Sequence, residues 1–311
     1  MKLDNTLPDL MLSRLSENNI AIYLFHGVIK KNNHSVCNYT GKHIEAKLFS
    51  ECMKRLSKSG VALSMDEILY NCLNSKKFPP NSFAITFDDG FENNISVAAP
   101  ILYDLKIPSM IYITSGFIDE NGMSWIDRIE LAVEEALSQE IKVQWNDQTF
   151  RINSVESRID FLRNVRKYVK NTPDCDANSF ADELCLTLGK TEQMKSNDDL
   201  FLKMSWNQVK MANESELISI GGHSHTHEIL SFLNEAQLIK EVDLSLQLLY
   251  KNAGVLPTHY SYPEGLQHCY SDQVINILKS RGVKCCPTAI DGTNDQHSDP
   301  FHLKRIMINA D

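Results

Sequence analysis

Phe83-Ala-Ile-Thr-Phe-Asp-Asp-Gly90 is the stretch whose reading decides the fold. Phe83 to Phe87 reads as a buried strand, and two carboxylates and a glycine stand at its C-terminal end. Beyond it, apolar spacing predicts a helix from about Asn93 to Leu105. Pro108 then opens a second strand, Ser109-Met-Ile-Tyr-Ile-Thr114. Strand, helix, strand in that order is a βαβ unit with parallel strands. Upstream, Ile20-Ala-Ile-Tyr-Leu-Phe25 reads as another buried strand, ending at His26-Gly27. Leu48, Phe49, Cys52, Met53 and Leu56 give residues 46–59 helical spacing, with Gly60 as the expected cap. Ser64 and Glu67 stand at the spacing of a capping box.

The alternation resumes after residue 205. Ser205 is placed to cap a helix, and Leu217 to Ile220 reads as a strand ending at Gly221-Gly222-His223. An amphipathic helix is expected from Asn234 to Asn252, with Gly254 at its exit. Thr258 to Tyr262 reads as a strand ending at Pro263-Glu264-Gly265. A helix over Ser271 to Ser280 precedes a last strand, Gly282 to Thr288. Residues from about 121 to 202 break the rhythm; they are polar, mostly helical in pattern, and read as an insertion. The expectation is an α/β fold: a distorted (β/α) barrel of about seven parallel strands, one domain over residues 1–311 with a helical insertion at about 121–202. His26, Asp88, Asp89, His223 and residues 263–265 all follow the C-terminal ends of predicted strands. In parallel barrels that face carries the active site.

Composition narrows the function classes. The 311 residues are 42% hydrophobic and 23% charged, which is globular and excludes a disordered chain. A net charge of −9 argues against nucleic acid as a partner, and against other anionic polymers unless the fold gathers a local basic cleft. The eight Cys include no C-x-x-C pair, which fits reduced thiols used for packing. Acids stand among the first residues, where a signal peptide would need a basic start and an apolar run, and the most apolar stretch, Ile20 to Ile29, is interrupted by His26 and too short to span a bilayer. The expected location is the cytoplasm, and no integral membrane segment is expected.

Two clusters could carry chemistry. Adjacent carboxylates at a strand end are costly when buried, because like charges in contact cannot both ionise cheaply. A divalent cation resolves this: one Asp binds it and the other serves as a base. The alternative for Asp88-Asp89-Gly90 is a solvated turn. In His223-Ser-His-Thr-His227, three of the ten histidines fall within five residues. His223 and His225 would share a strand face, whereas His223 and His227 converge if the chain turns. Two imidazoles and one carboxylate leave open positions on a metal, the pattern of catalytic rather than structural zinc. The chemistry is then hydrolysis of an amide or ester.

Thr86-Phe-Asp-Asp-Gly90, His223-Ser-x-x-His227 and Tyr262-Pro-Glu-Gly265, in this order, resemble the polysaccharide deacetylases of the NodB-homology class, carbohydrate esterase family four. The resemblance covers residues 20–120 and 203–305. It implies Asp88 as catalytic base and Asp89, His223 and His227 as ligands of one divalent metal ion, zinc first, with Co2+, Ni2+ or Fe2+ as alternatives. His225 becomes a bystander. The third motif is usually Arg-x-Pro-Tyr; here Ser261 stands at the Arg and Glu264 at the Tyr, so the Glu264 backbone N–H is the implied oxyanion donor.

The usual late Leu-x-His, source of the general acid, is replaced by Phe301-His-Leu-Lys-Arg305. Leu24-Phe-His-Gly27 resembles a branch whose acid comes from the first strand, which assigns His26 as general acid, with His302 as the other candidate. Arg305 is expected to steady Asp88 in place of the missing Arg. Trp125-Ile-Asp-Arg128 resembles a segment of insertion-bearing members, where Trp125 or Asp127 would either contact the sugar or pack in the core. The implied reaction removes an N-acetyl or other small N-acyl group from a sugar; the expected cytoplasmic location favours a nucleotide- or lipid-linked glycan precursor as substrate. The alternatives are an amidohydrolase acting on a small cyclic amide or imide, and a non-catalytic carbohydrate binder. The sequence leaves the oligomeric state open.

Overall fold

The computed structural model describes residues 6–120, 122–137, 140–143, 145, 148–172, 175–190 and 196–310. In chain order the strands are β1 (Ala21–Phe25), β2 (Gly27–Ile29), β3 (His43–Glu45), β4 (Val61–Ala62), β5 (Ser82–Phe87), β6 (Ser109–Ile113), β7 (Glu140–Lys142), β8 (Thr149–Arg151), β9 (Ile218–Gly222) and β10 (Ile306–Met307). The stretch that opened the sequence is the centre of the main sheet. It pairs with β1 from Ala21↔Phe83 to Phe25↔Phe87 and with β6 from Ile85↔Ser109 to Phe87↔Ile111, both parallel. The sheet order is β10-β1-β5-β6-β9, with β4 also on β5.

The uninterrupted apolar runs have a physical cause, since both faces of the sheet are covered. Tyr23, Phe25, Phe83, Ile85, Phe87, Ile111 and Ile220 pack in one cluster with Phe49, Cys52, Met53 and Leu56 of the helix Ala46–Ser59. Ile22, Ala84, Met110 and Tyr112 point the other way, into a cluster with Ile68, Leu69, Phe78 and Leu303. Each large apolar side chain so buried contributes about 1.5–3 kcal/mol. Six of the eight cysteines are buried and all are free, in keeping with packing roles.

The expected elements recur with local differences. Ser64 and Glu67 form a capping box, as do Ser205 and Gln208, and Gly254 closes the helix Glu235–Ala253 in the left-handed conformation. The helix expected from Asn93 to Leu105 is instead a π-helical turn, Asn94–Ala98, followed by the α-helix Ala99–Leu105. Pro100 lacks the N–H that an α-helical turn would use there. The strands expected over 258–262 and 282–288 are reduced to single parallel bridges, Gly222↔Tyr260 and His259↔Cys285. Pro257, Pro263 and Pro287 bound these segments and cannot donate to a longer ladder. The bridges still extend the sheet beyond β9, and the hydrogen bonds from Thr288 N–H to Leu303 and from Arg305 N–H to Ile290 lead back toward β10.

The insertion is less purely helical than expected. Helices Trp125–Glu135, Val155–Lys170 and Ala177–Thr187 surround the antiparallel hairpin β7–β8. They form their own cluster, including Ile129, Phe161, Leu162, Val165, Ala181 and Leu184. Among the described residues no helix is long and apolar enough to cross a membrane.

Candidate active site

The C-terminal ends of β1, β5 and β9 meet at one place, as the register of parallel strands requires. Asp88 and Asp89 follow β5, His223 follows β9 and His26 follows β1. All four line one cavity of about 180 Å³, together with His227 and Glu264.

Asp88 is 4% exposed and is clamped by Arg305, itself fully buried. Arg305 Nη1 and Nη2 donate to the two carboxylate oxygens at 2.8 Å each. The guanidinium is fixed in turn: Nε donates to the Thr288 carbonyl at 2.7 Å and Nη2 to Ser261 Oγ at 3.0 Å. Ser261 Oγ donates back to Asp88 Oδ2 at 3.3 Å. Ser261 is small enough to leave room for an arginine arriving from another part of the chain. Burial alone would raise the Asp88 carboxyl; the Arg305 guanidinium outweighs it and holds the group below the usual carboxylate range.

Asp89, His223 and His227 form a second constellation, their ligand atoms all within 4.8 Å of one another. Asp89 Oδ1 stands 3.3 Å from His227 Nε2 and 3.6 Å from His223 Nε2. It is buried without a hydrogen-bond partner. His223 Nδ1 donates to the Ser261 carbonyl at 2.9 Å, which leaves Nε2 of the neutral ring as a lone pair turned toward the carboxylates. A buried carboxylate oxygen between two imidazole nitrogens, one of them a lone pair, is a donor set suited to a divalent cation.

The loop that makes this convergence possible is tightly specified. Glu241 accepts from the N–H groups of His225 and Thr226 at 2.7 and 2.6 Å, and Ser224 Oγ accepts from His227 N–H at 2.9 Å. Asp89, Ser224, His227 and Glu264 all have positive φ, at 74°, 64°, 65° and 57°. Such conformations cost energy and persist only where the surroundings enforce them. This turn resolves the choice between histidine pairings: His223 and His227 converge, while His225 Nδ1 is paired with Ser115 Oγ at 3.0 Å.

His26 lines the cavity with Nδ1 buried and unpartnered. Desolvation outweighs the nearby Asp89 and lowers its pKa to about 4, so the ring is neutral at pH 7. His302 lies apart, its side chain 46% exposed beside Asp299. Trp125 lines the cavity. Asp127 instead sits in the core between two lysines, 2.6 Å from Lys42 Nζ and 3.5 Å from Lys203 Nζ.

Three further cavity residues had no sequence signal. Lys42 comes from the segment between β2 and β3, and Arg166 and Lys170 come from the insertion helix Val155–Lys170. Lys170 Nζ pairs with Glu264 Oε2 at 2.5 Å. Burial would raise the Glu264 carboxyl, but Lys170, with lesser help from His227, holds it at about 2. Past Trp125, Lys170, His227 and Glu264 the cavity adjoins another of about 310 Å³.

The polysaccharide deacetylase family model matches residues 75–286. The chain belongs to the polysaccharide deacetylase family. No curated protein sequence matches it. Its structure is similar to that of the Streptococcus pyogenes deacetylase PplD in complex with acetate, at 16% identity and a TM-score of 0.61, over 94% of both chains. It is also similar to IcaB from Ammonifex degensii, at 15% identity and a TM-score of 0.59, over 95% of this chain and 94% of that one. A de-N-acetylase from Aggregatibacter actinomycetemcomitans matches at 14% identity and a TM-score of 0.58, over 94% of this chain and 95% of that one. These likenesses establish an α/β fold shared with deacetylases, and the family points to hydrolysis of acetylated sugars.

Proposed function

We propose that the protein is a metal-dependent hydrolase that removes a small N-acyl group, acetyl first, from a sugar. One observation carries this reading. The Asp89–His223–His227 donor set and the Asp88–Arg305 pair border a single cavity. A divalent ion held by Asp89, His223 and His227 would polarise the acyl carbonyl and acidify a water. Asp88 takes a proton from the attacking water, in an orientation fixed by the two hydrogen bonds from Arg305. The Glu264 backbone N–H is the donor we assign to the developing oxyanion. His26 begins neutral, accepts a proton within the cavity and delivers it to the departing amine.

The test combines metal content with product release. Wild type is expected to hold about one ion per chain and to release acetate from N-acetylglucosamine oligomers. An Asp89→Ala, His223→Ala double variant is expected to lose both. If wild type binds no metal after exposure to zinc, cobalt or nickel, the reading fails.

A further inference from the structure

The charge distribution behind the cavity wall is uneven. Lys42, Arg166 and Lys170 reach the cavity with side chains 13%, 20% and 37% exposed. Two of their acidic partners stand behind them: Asp127 and Glu130 are 1% and 2% exposed, and neither lines the cavity. Asp127 also serves Lys203, which is fully buried. Two hidden acids therefore face three cations, Lys42, Lys203 and Arg166. On the open side, the charge of Asp88 is matched by Arg305 and that of Glu264 by Lys170, while Asp89, facing His223 and His227, balances the remaining cation until a divalent ion engages it.

The donors are not exhausted either. Arg166 Nη2 donates to Glu130 at 2.9 Å, while its Nε is buried without a partner. Each lysine ammonium has three N–H groups, more than its one carboxylate partner needs. Arg166 and Lys170 lie one helical turn apart, and Glu264 acts on both. With a divalent ion held by Asp89, His223 and His227, this would be a local basic cleft in a chain whose net charge is −9.

We infer that Lys42, Arg166 and Lys170 form a recognition wall for an anionic group, a phosphate or a carboxylate, carried by the sugar whose amide is cleaved. This rests on the deacetylase reading for the location of the sugar, but not for the charge that the wall selects. Arg166 supplies a planar set of donors suited to either oxyanion, and Lys170 and Lys42 supply point charges beside it. The insertion would then set substrate choice, while the strand ends carry the chemistry.

The probes are N-acetylglucosamine, its 1-phosphate and N-acetylmuramic acid, titrated calorimetrically into the metal-loaded full chain at low salt. Wild type is expected to bind at least one acidic sugar about tenfold more tightly than the neutral one. The two acidic probes distinguish phosphate from carboxylate. Lys170→Gln and Arg166→Gln should each reduce that preference about threefold or more, and Lys170→Arg should retain it. Any phosphate bound by the metal contributes equally to wild type and variants, so the difference isolates the wall. Melting temperatures verify that each variant is folded; Lys170, the most exposed of the three, keeps the test open if Arg166→Gln is not. Equal binding of acidic and neutral sugars by wild type, or an unchanged preference in folded variants, overturns the inference. Acetate release is followed separately. A charge preference without release removes the deacetylase reading alone, and release without a preference removes the wall alone.

Discussion

Two ion pairs border the same cavity, and they are built in opposite ways. Arg305–Asp88 is buried, with side chains 0% and 6% exposed, and the guanidinium is held from strands of the main sheet and from segments bridged to it. Lys170–Glu264 is partly open, at 37% and 22%, and joins the insertion to the loop after Tyr262. The first pair has one geometry available to it. The second consists of a long, solvated lysine and a glutamate that can separate and re-form. Fixed geometry suits a group that must receive a proton at a defined atom, and an adaptable pair suits a wall that admits substrate.

The largest effect should come from breaking the closed pair. Arg305→Met leaves Asp88 charged and buried without its cationic partner, which costs about 3–5 kcal/mol of stability. Its carboxyl pKa should rise, because burial is then unopposed by the guanidinium. Activity should fall by about two to three orders of magnitude, the scale lost when a proton-transfer group is disabled. Urea unfolding and acetate release measure the two effects. Adding Asp88→Asn should recover part of the stability and none of the activity. A full-strength enzyme carrying Arg305→Met would remove the distinction between the pairs.

The two halves of the site also differed in how they could be read from sequence. Asp88, Asp89, His223 and His227 stand out because they are clustered in the chain at the ends of apolar runs. Arg305 is 217 residues from Asp88, and only a family pattern suggested the contact. Arg166 and Lys170 gave no signal, because a charge on the polar side of an amphipathic helix looks the same whether it faces water or a cavity. The hairpin β7–β8 was hidden for a related reason: its strands are three residues each, within a polar run that has no sustained period of two. The sheet was legible because burial on both faces imposes long apolar strands. The single bridges at Tyr260 and Cys285 were over-read as strands because apolar content does not reveal where flanking prolines end a ladder.

The closed half makes a second, pH-dependent prediction through His26. Its pKa is about 4 in the folded protein, against an ordinary value near 6.5. Between these values the unfolded chain binds a proton that the folded chain refuses, so this group makes stability rise with pH. The penalty is complete below pH 4, fades through the window and is absent above about 6.5. His26→Gln should therefore stabilise metal-free protein near pH 4 relative to pH 7.5, by about 3 kcal/mol when compared with wild type at each pH. Denaturant titrations at the two pH values measure this. An equal difference at both would mean that the imidazole is solvated rather than enclosed.

The smallest effect tests the open pair. Lys170→Gln removes a partner from Glu264, but the carboxylate is 22% exposed, and water can take up much of what the ammonium supplied. Exposed pairs contribute about 0–1 kcal/mol because screening and side-chain entropy offset the Coulomb attraction. The Glu264 carboxyl should move up from its value of about 2 toward the ordinary range, since Lys170 is the strongest influence lowering it. Stability near pH 7 should change by less than about 1 kcal/mol, with the difference shrinking as pH falls through the carboxylate range and Glu264 protonates. A cost equal to that of Arg305→Met would mean that the insertion is locked to the sheet by this contact. The cavity would then have two rigid walls, and the comparison between a fixed catalytic side and an adaptable binding side would fail.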